Sequence, residues 1–304
     1  MILLVIETEN LSKIYENSKG CRDINISVPQ GEIYGFLGPN GAGKSTFIKT
    51  IVGLLFPTSG TARILGRPIG DIEAKKKIGY LPELFKYQEW MTGLDLLSFH
   101  SSLYKLDKRA ASIKIEEVLE IVNLKGAEKN KIGTYSKGMQ QRIGIASALL
   151  CDPELLFLDE PTSALDPIGR KEVRDIMLEL KNMGKTVFLN SHLLSEVEMV
   201  CDSAAIISKG TIIKQGKMTD LLEGDTALDI HVEDINNEIL NKLEKIDEDV
   251  IFDGKNIKMH VKENHEIHDI ASLIIAGGGK LYGLTPHRNS LEELFIKLVE
   301  RGQE

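Results

Sequence analysis

The chain has 304 residues, 42% of them hydrophobic and 27% charged, which is the composition of a folded globular protein and excludes fibrous and low-complexity classes. No run approaches the roughly 18 apolar residues of a membrane-spanning helix: Met1 to Ile6 is too short, and Ile143 to Leu150 is broken by Gly144 and Ser147. The formal net charge of -8 sits in the tail, since residues 221 to 304 hold 18 acids against 9 basic residues, so binding of nucleic acid by bulk electrostatics is disfavoured.

The start has neither a basic n-region nor a small-residue cleavage site, and Cys21, Cys151 and Cys201 form no metal or redox spacing, so a reducing cytoplasm is the expected compartment. Up to about residue 220, short apolar runs alternate with amphipathic helical stretches, which predicts an α/β body. Its first buried strand is expected at Ile33 to Leu37, followed by Gly38, Pro39, Asn40, Gly41, Ala42, Gly43, Lys44, Ser45 and Thr46, and then by a helix from Lys44 to Val52. This fits the phosphate-binding P-loop in full, with both required flanks. Its glycines let backbone N–H groups turn inward around phosphates, and the helix N-terminus adds positive potential. Lys44 is placed to reach the β and γ phosphates and Ser45 to ligate Mg²⁺.

From Glu83 to Lys131 the pattern is helical, with Thr92 as an N-cap and apolar residues at Leu94, Leu97 and Leu103, which predicts a helical subdomain at about 84–135 inserted in the α/β body. Tyr87 and Trp90 read as core aromatics at its entrance. Next, Ser136 opens a helix, where a serine by itself reads as an N-cap. The apolar strand Leu155 to Leu158 then ends in Asp159, a carboxylate placed to support the metal. Glu160 follows directly, where it can orient and deprotonate an attacking water. Further strands are expected at Thr186 to Leu189, just before Asn190, Ser191 and His192, and at Ala204 to Ile207. Beyond Leu222 the order is strand, helix, two strands, helix, strand, a ferredoxin-like α+β arrangement. A last helix opens on Ser290 and Glu293 in capping-box spacing.

Between the P-loop and Asp159 lies Tyr135, Ser136, Lys137, Gly138, Met139, Gln140, Gln141, Arg142, which resembles the ABC signature motif. Ser163 to Asp166 resembles the D-loop, His192 the switch histidine, Glu83 the Q-loop position and Tyr15 the aromatic that stacks on adenine. Across residues 5 to 220 the sequence is therefore similar to ABC ATPases. The resemblance implies a P-loop NTPase of ABC type at 1–222 that binds ATP and Mg²⁺, with an accessory α+β domain at 223–304. It also implies a homodimer formed head to tail, in which Ser136 and Gly138 of one copy close on ATP held by the other. In that scheme Glu160 and His192 are catalytic with Lys44 and Glu83, His192 senses the γ-phosphate, and Ser45, Glu83 and Asp159 serve the metal.

Tyr135, Lys137, Met139 and Glu83 depart from the commonest family pattern in a way that resembles stand-alone subunits of ABC-2-type exporters. Such a subunit drives a separate polytopic membrane subunit from the cytoplasmic face of the cell membrane, with no nucleic acid as partner. The competing reading, a non-transport ABC ATPase that clamps nucleic acid or ribosomes, is opposed by the single compact cassette and the acidic tail.

Overall fold

The four continuous apolar runs become neighbouring strands of one sheet, because every side chain in them can be buried on either face. The computed structural model describes residues 3–16, 19–222, 226–261, 264–287 and 290–301, and the chain forms two units, 1–218 and 219–300. In chain order the first unit begins β1 (Leu4–Ile14), β2 (Gly20–Ile24), β3 (Ser27–Pro29), β4 (Ile33–Leu37), α1 (Lys44–Ile51), β5 (Ser59–Ile64), β6 (Arg67–Pro68), α2 (Ile72–Lys75) and β7 (Ile78–Leu81). It continues with α3 (Gly93–Leu103), α4 (Lys108–Ile121), α5 (Lys137–Leu149), β8 (Leu155–Asp159), α6 (Pro167–Asn182), β9 (Thr186–Ser191), α7 (Leu194–Val200), β10 (Ser203–Ser208) and β11 (Thr211–Lys217).

The central sheet has the order β11-β10-β4-β9-β8-β7, with every pair parallel except the antiparallel edge β10/β11. A second, antiparallel sheet of order β2-β1-β5-β6, with β3 also on β1, was not foreseen from the sequence. Its strands carry register irregularities in β1 at Leu4/Ile6, Glu9/Ser12 and Leu11/Lys13, which break the alternation that marks a strand. Phe36, Phe47, Phe157 and Phe188 fill the space between α1 and the central sheet, with Phe36 and Phe47 stacked at 4.7 Å between ring centroids. This packing fixes α1 against β4, so the Gly38–Gly43 turn lies at the carboxyl end of a buried parallel strand, where ligands of open α/β sheets collect.

Helices α3, α4 and α5 lie between β7 and β8. Thr92 caps α3 through a reciprocal box: its hydroxyl accepts from the Asp95 N–H at 3.1 Å, and the Asp95 carboxylate accepts the Thr92 N–H at 3.0 Å. The expectation of core aromatics is corrected for Trp90, which is 69% exposed, whereas Tyr87 is half-buried against Phe85 and His100.

After α8 (Met218–Leu221), the second unit runs β12 (Thr226–Glu233), α9 (Asn237–Leu243), β13 (Ile251–Phe252), β14 (Asn256–Val261), α10 (Asn264–Ala276), β15 (Lys280–His287) and α11 (Leu291–Arg301). Its antiparallel sheet has the order β13-β14-β12-β15. Alternation along β12 and β14 sends Leu228, Ile230, Val232, Ile257, Met259 and Val261 into a core shared with α9 and α10. No helix among the described residues is long and apolar enough to cross a membrane.

Candidate active site

The Gly38–Gly43 turn is built from backbone conformations that side chains would disrupt. Gly43 has φ 103°, and a Cβ there would stand 2.3 Å from the Gly20 carbonyl oxygen. At Gly38 a Cβ would meet the Ile207 carbonyl oxygen, also at 2.3 Å. Lys44, only 7% exposed, folds back over the turn and donates to Gly38 O at 2.7 Å and Pro39 O at 3.4 Å. Burial pushes its pKa down, and the nearby carboxylates of Glu160, Asp159 and Glu83 oppose that shift. A lysine held among backbone carbonyls and three acids is poised to exchange them for phosphate oxygens.

Asp159 ends β8 directly beside Asn190 of β9, whose side-chain N–H donates to its carboxylate. Burial raises the Asp159 pKa, against the lowering effect of the Asn190 hydrogen bond, and Glu83 raises it further. Glu160 adopts φ 54°, in the left-handed region, while its N–H is held by Asn190 O at 2.9 Å. Such strain persists only where the surroundings over-determine it, and here it turns the side chain out of the strand toward the cleft. The Glu160 carboxylate is buried, 6% exposed, and Oε2 lies 2.7 Å from His192 Nδ1. Burial pushes the Glu160 pKa up, and the charge and hydrogen bond of His192 pull it back.

A cleft of about 530 Å³ joins these parts: Tyr15, the loop residues Asn40, Gly41, Gly43, Lys44, Ser45 and Thr46, and the polar residues Glu83, Glu160 and His192 all line it. Gly38, Pro39 and Ala42 shape the turn without lining the cleft, and Asp159 is buried at the end of β8. Tyr15 is 42% exposed, with the Lys13 ammonium 5.6 Å from its ring centroid.

A sequence profile described as ABC transporter matches residues 21–163. An uncharacterized ABC transporter ATP-binding protein of Synechocystis sp. is 38% identical over 98% of this chain and 86% of its own length. The chain belongs to the ABC transporter ATP-binding protein family. Among other members, the bacitracin transport ATP-binding protein BcrA of Bacillus licheniformis is 36% identical over 98% of this chain and 98% of its own. A solved ATP-binding subunit of an ABC transporter superposes with a TM-score of 0.64 at 30% identity, covering 71% of this chain and 91% of that structure. The first unit thus has the P-loop NTPase fold of ABC ATPases, and the protein is an ATPase.

In this ABC protein Ser136 and Gly138 do not line the cleft; they form the N-terminal end of α5, where Ser136 accepts the Met139 N–H at 3.2 Å. A single copy therefore leaves the signature segment apart from the P-loop. The structure also brings Lys19, Gly20 and Asn190 to the cleft, none of which was singled out by sequence. Asn190 left one trace there, a polar residue closing an apolar strand two positions before His192.

Among the described residues no group of three or more His, Cys, Asp or Glu is arranged to hold a metal by itself. Ser45 in the cleft and the buried Asp159 carboxylate offer oxygen donors, which suit Mg²⁺, an ion that takes one or two protein ligands and completes its shell with phosphate oxygens and water. The side-chain oxygen of Asn190 is buried without a hydrogen-bond partner beside Asp159, as expected of a polar site shaped for such a shell.

Proposed function

We propose that this ATPase is the motor subunit of an exporter whose membrane-spanning part is a separate polytopic chain, working at the cytoplasmic face of the cell membrane. The observation that carries the reading is the shared cleft, in which a buried carboxylate, Glu160, meets His192 at 2.7 Å beside the phosphate loop. Similarity to a bacitracin transport ATP-binding protein over nearly the whole of both chains supports the transport role.

In this proposal the loop from Gly38 to Thr46 binds the phosphates of ATP and Lys44 shifts from the Gly38 carbonyl onto them. Tyr15 stacks on the adenine with the ring face turned from Lys13. Ser45 and Asp159 hold Mg²⁺, with Glu83 supplying an oxygen to the ion or its water; when bound, the ion neutralises charge that develops on the phosphates. Both His192 contacts fall on Oε2 of Glu160, which leaves Oε1 to take the proton of the attacking water. The Nδ1 of His192 is committed to Glu160, which leaves its second ring nitrogen for the γ-phosphate, so the same residue positions the base and senses the substrate. Two copies close head to tail, and the α5 N-terminus of each, with Ser136 and Gly138, completes the other's site by adding donors and positive helix potential.

Glu160→Gln keeps the side-chain shape and removes the base. With ATP and Mg²⁺ the variant is expected to bind nucleotide normally, elute as a dimer in size-exclusion chromatography, and hydrolyse ATP slower by about 10²- to 10⁴-fold. Unchanged turnover would remove Glu160 from the role of base, and a monomer with bound ATP would remove the closed pair.

A further inference from the structure

Of three buried side-chain polar atoms without a hydrogen-bond partner among the described residues, two, on Tyr80 and Asn190, point to a further role at the site described above. The Tyr80 hydroxyl and the Asn190 side-chain oxygen both lie out of contact with solvent and have no hydrogen-bond partner. A folded chain rarely leaves such groups unpaired, because each has given up its hydrogen bonds to water. Strand register shows that they are neighbours of the same feature. Tyr80 of β7 stands opposite Phe157 of β8, two residues before Asp159, and Asp159 stands opposite Asn190 of β9. Residues two apart in a strand, and their cross-strand partners, share one face of a sheet. Tyr80, Asp159 and Asn190 are therefore on the face packed against α1, the helix whose first turn carries Ser45.

The hydrogen-bonding capacity of this arrangement is uneven. Asn190 spends its N–H on the Asp159 carboxylate and keeps an unused acceptor. Tyr80 offers both an O–H and an oxygen lone pair. Protein atoms satisfy neither, and the two residues sit on the strands either side of the one that ends in Asp159. Hydrated Mg²⁺ retains several waters, each with protons to donate, and these require acceptors at the wall of the site.

We propose that Tyr80 and Asn190 are positioning residues for the metal, whose bound waters hydrogen-bond to the Tyr80 hydroxyl and the Asn190 side-chain oxygen on the two flanks of Asp159. This rests on the proposed magnesium site of Ser45 and Asp159. Burial, with the fields of Asp159 and Glu83 added, pushes the Tyr80 pKa up to about 12, so the hydroxyl keeps its proton and can donate as well as accept. The glycine-flanked position of Tyr80 suits this role, since Gly79 leaves the strand pressed against the Ala148 carbonyl and fixes where the ring emerges.

The test is the affinity of Mn²⁺, measured by electron paramagnetic resonance on the full chain carrying one equivalent of a non-hydrolysable ATP analogue. Tyr80→Phe deletes one oxygen and is expected to weaken Mn²⁺ binding by about 10-fold or more, as loss of outer-shell partners does at other metal sites. In the metal-free protein the same variant is expected to melt no lower than wild type, because an unpaired buried hydroxyl contributes nothing there. Asp159→Asn separates the two levels of the argument. If Asp159→Asn weakens Mn²⁺ binding and Tyr80→Phe leaves it unchanged, the positioning role is overturned and the metal site stands. If Asp159→Asn leaves it unchanged as well, the magnesium site itself is wrong and the inference falls with it.

Discussion

Glu160 is the residue at which burial, backbone strain and chemistry meet. In the proposed role of general base Glu160 must be ionised, so hydrolysis is expected to be lost as pH falls through its pKa. Burial moves that pKa up from the ordinary carboxylate range, and His192, through its charge and its hydrogen bond, pulls it back down. Removing His192 removes the lowering influence, which gives the sign of a prediction. His192→Ala is expected to move the acid limb of the kcat–pH profile to higher pH, in addition to lowering the plateau. The profile is measured by steady-state hydrolysis at saturating ATP. An acid limb that stays in place would mean that Glu160 is not the group titrating in it, or that the 2.7 Å contact with His192 is absent in the working enzyme. Lys44 sharpens the point, because its own pKa is pushed down by burial while three acids hold it up. The cleft is thus a set of mutually dependent charges, and a substitution at any one of them alters the others.

At the scale of elements, the central strands β4, β8, β9 and β10 were legible, whereas β7, which carries Tyr80, and the strands that brace the sheet were not. Runs such as Leu155–Leu158 are apolar at every position because both faces are covered, and a continuous run needs no partner to be recognised. By contrast, β1 reads Leu-Val-Ile-Glu-Thr-Glu-Asn-Leu-Ser-Lys-Ile, and its bulged pairing with β2, β3 and β5 scrambles the period-two pattern. Helix starts were legible where chemistry marks them: Thr92 caps α3, and Ser290 caps α11 by accepting the Glu293 N–H at 3.1 Å. What no local pattern carries is which side chains from different strands share one face. Tyr80 and Asn190 became visible only through register. The same limit explains Ser136, whose N-cap geometry is present whatever else it does. A substitution can separate the two roles. Aspartate caps a helix as well as serine, whereas alanine there costs about 1 kcal/mol. Ser136→Asp is therefore expected to melt within about 2 °C of wild type. It would nonetheless place a carboxylate against the γ-phosphate bound by the second copy, and a turnover loss of at least about tenfold needs only about 1.4 kcal/mol of that repulsion. Full ATPase activity in a stable Ser136→Asp protein would leave Ser136 as a cap and nothing more.

For the whole molecule, the issue is how much of the chain the motor requires. Every residue lining the cleft lies between Tyr15 and His192, and no hydrogen bond described for Lys44, Asp159, Glu160 or His192 reaches beyond Asn190 and His192. The second unit has a hydrophobic core of its own, built from β12, β14, α9 and α10. Residues 221 to 304 also hold the excess of acidic residues, 18 against 9 basic. A surface of that sign gives no help in attracting a polyphosphate and would slow its approach through like-charge repulsion. Because the cleft residues all belong to the first unit and the second unit has its own core, the tail is expected to be dispensable for nucleotide binding. Truncation after residue 222 keeps α8 and its buried Met218 and Leu221, and is expected to leave a folded protein with the ATP Kd of the full chain, as measured by isothermal titration calorimetry. The same truncation, affinity-purified from gently solubilised membranes of its own cell, is expected to bring down the polytopic chain that the full protein brings down, because it keeps the whole first unit. A folded truncation that no longer binds ATP would show that the tail completes the site. One that binds ATP but loses the membrane chain would move the docking surface to residues 223–304. Ribosomal or nucleic-acid-bound partners recovered with the full chain would overturn the transporter reading at its root.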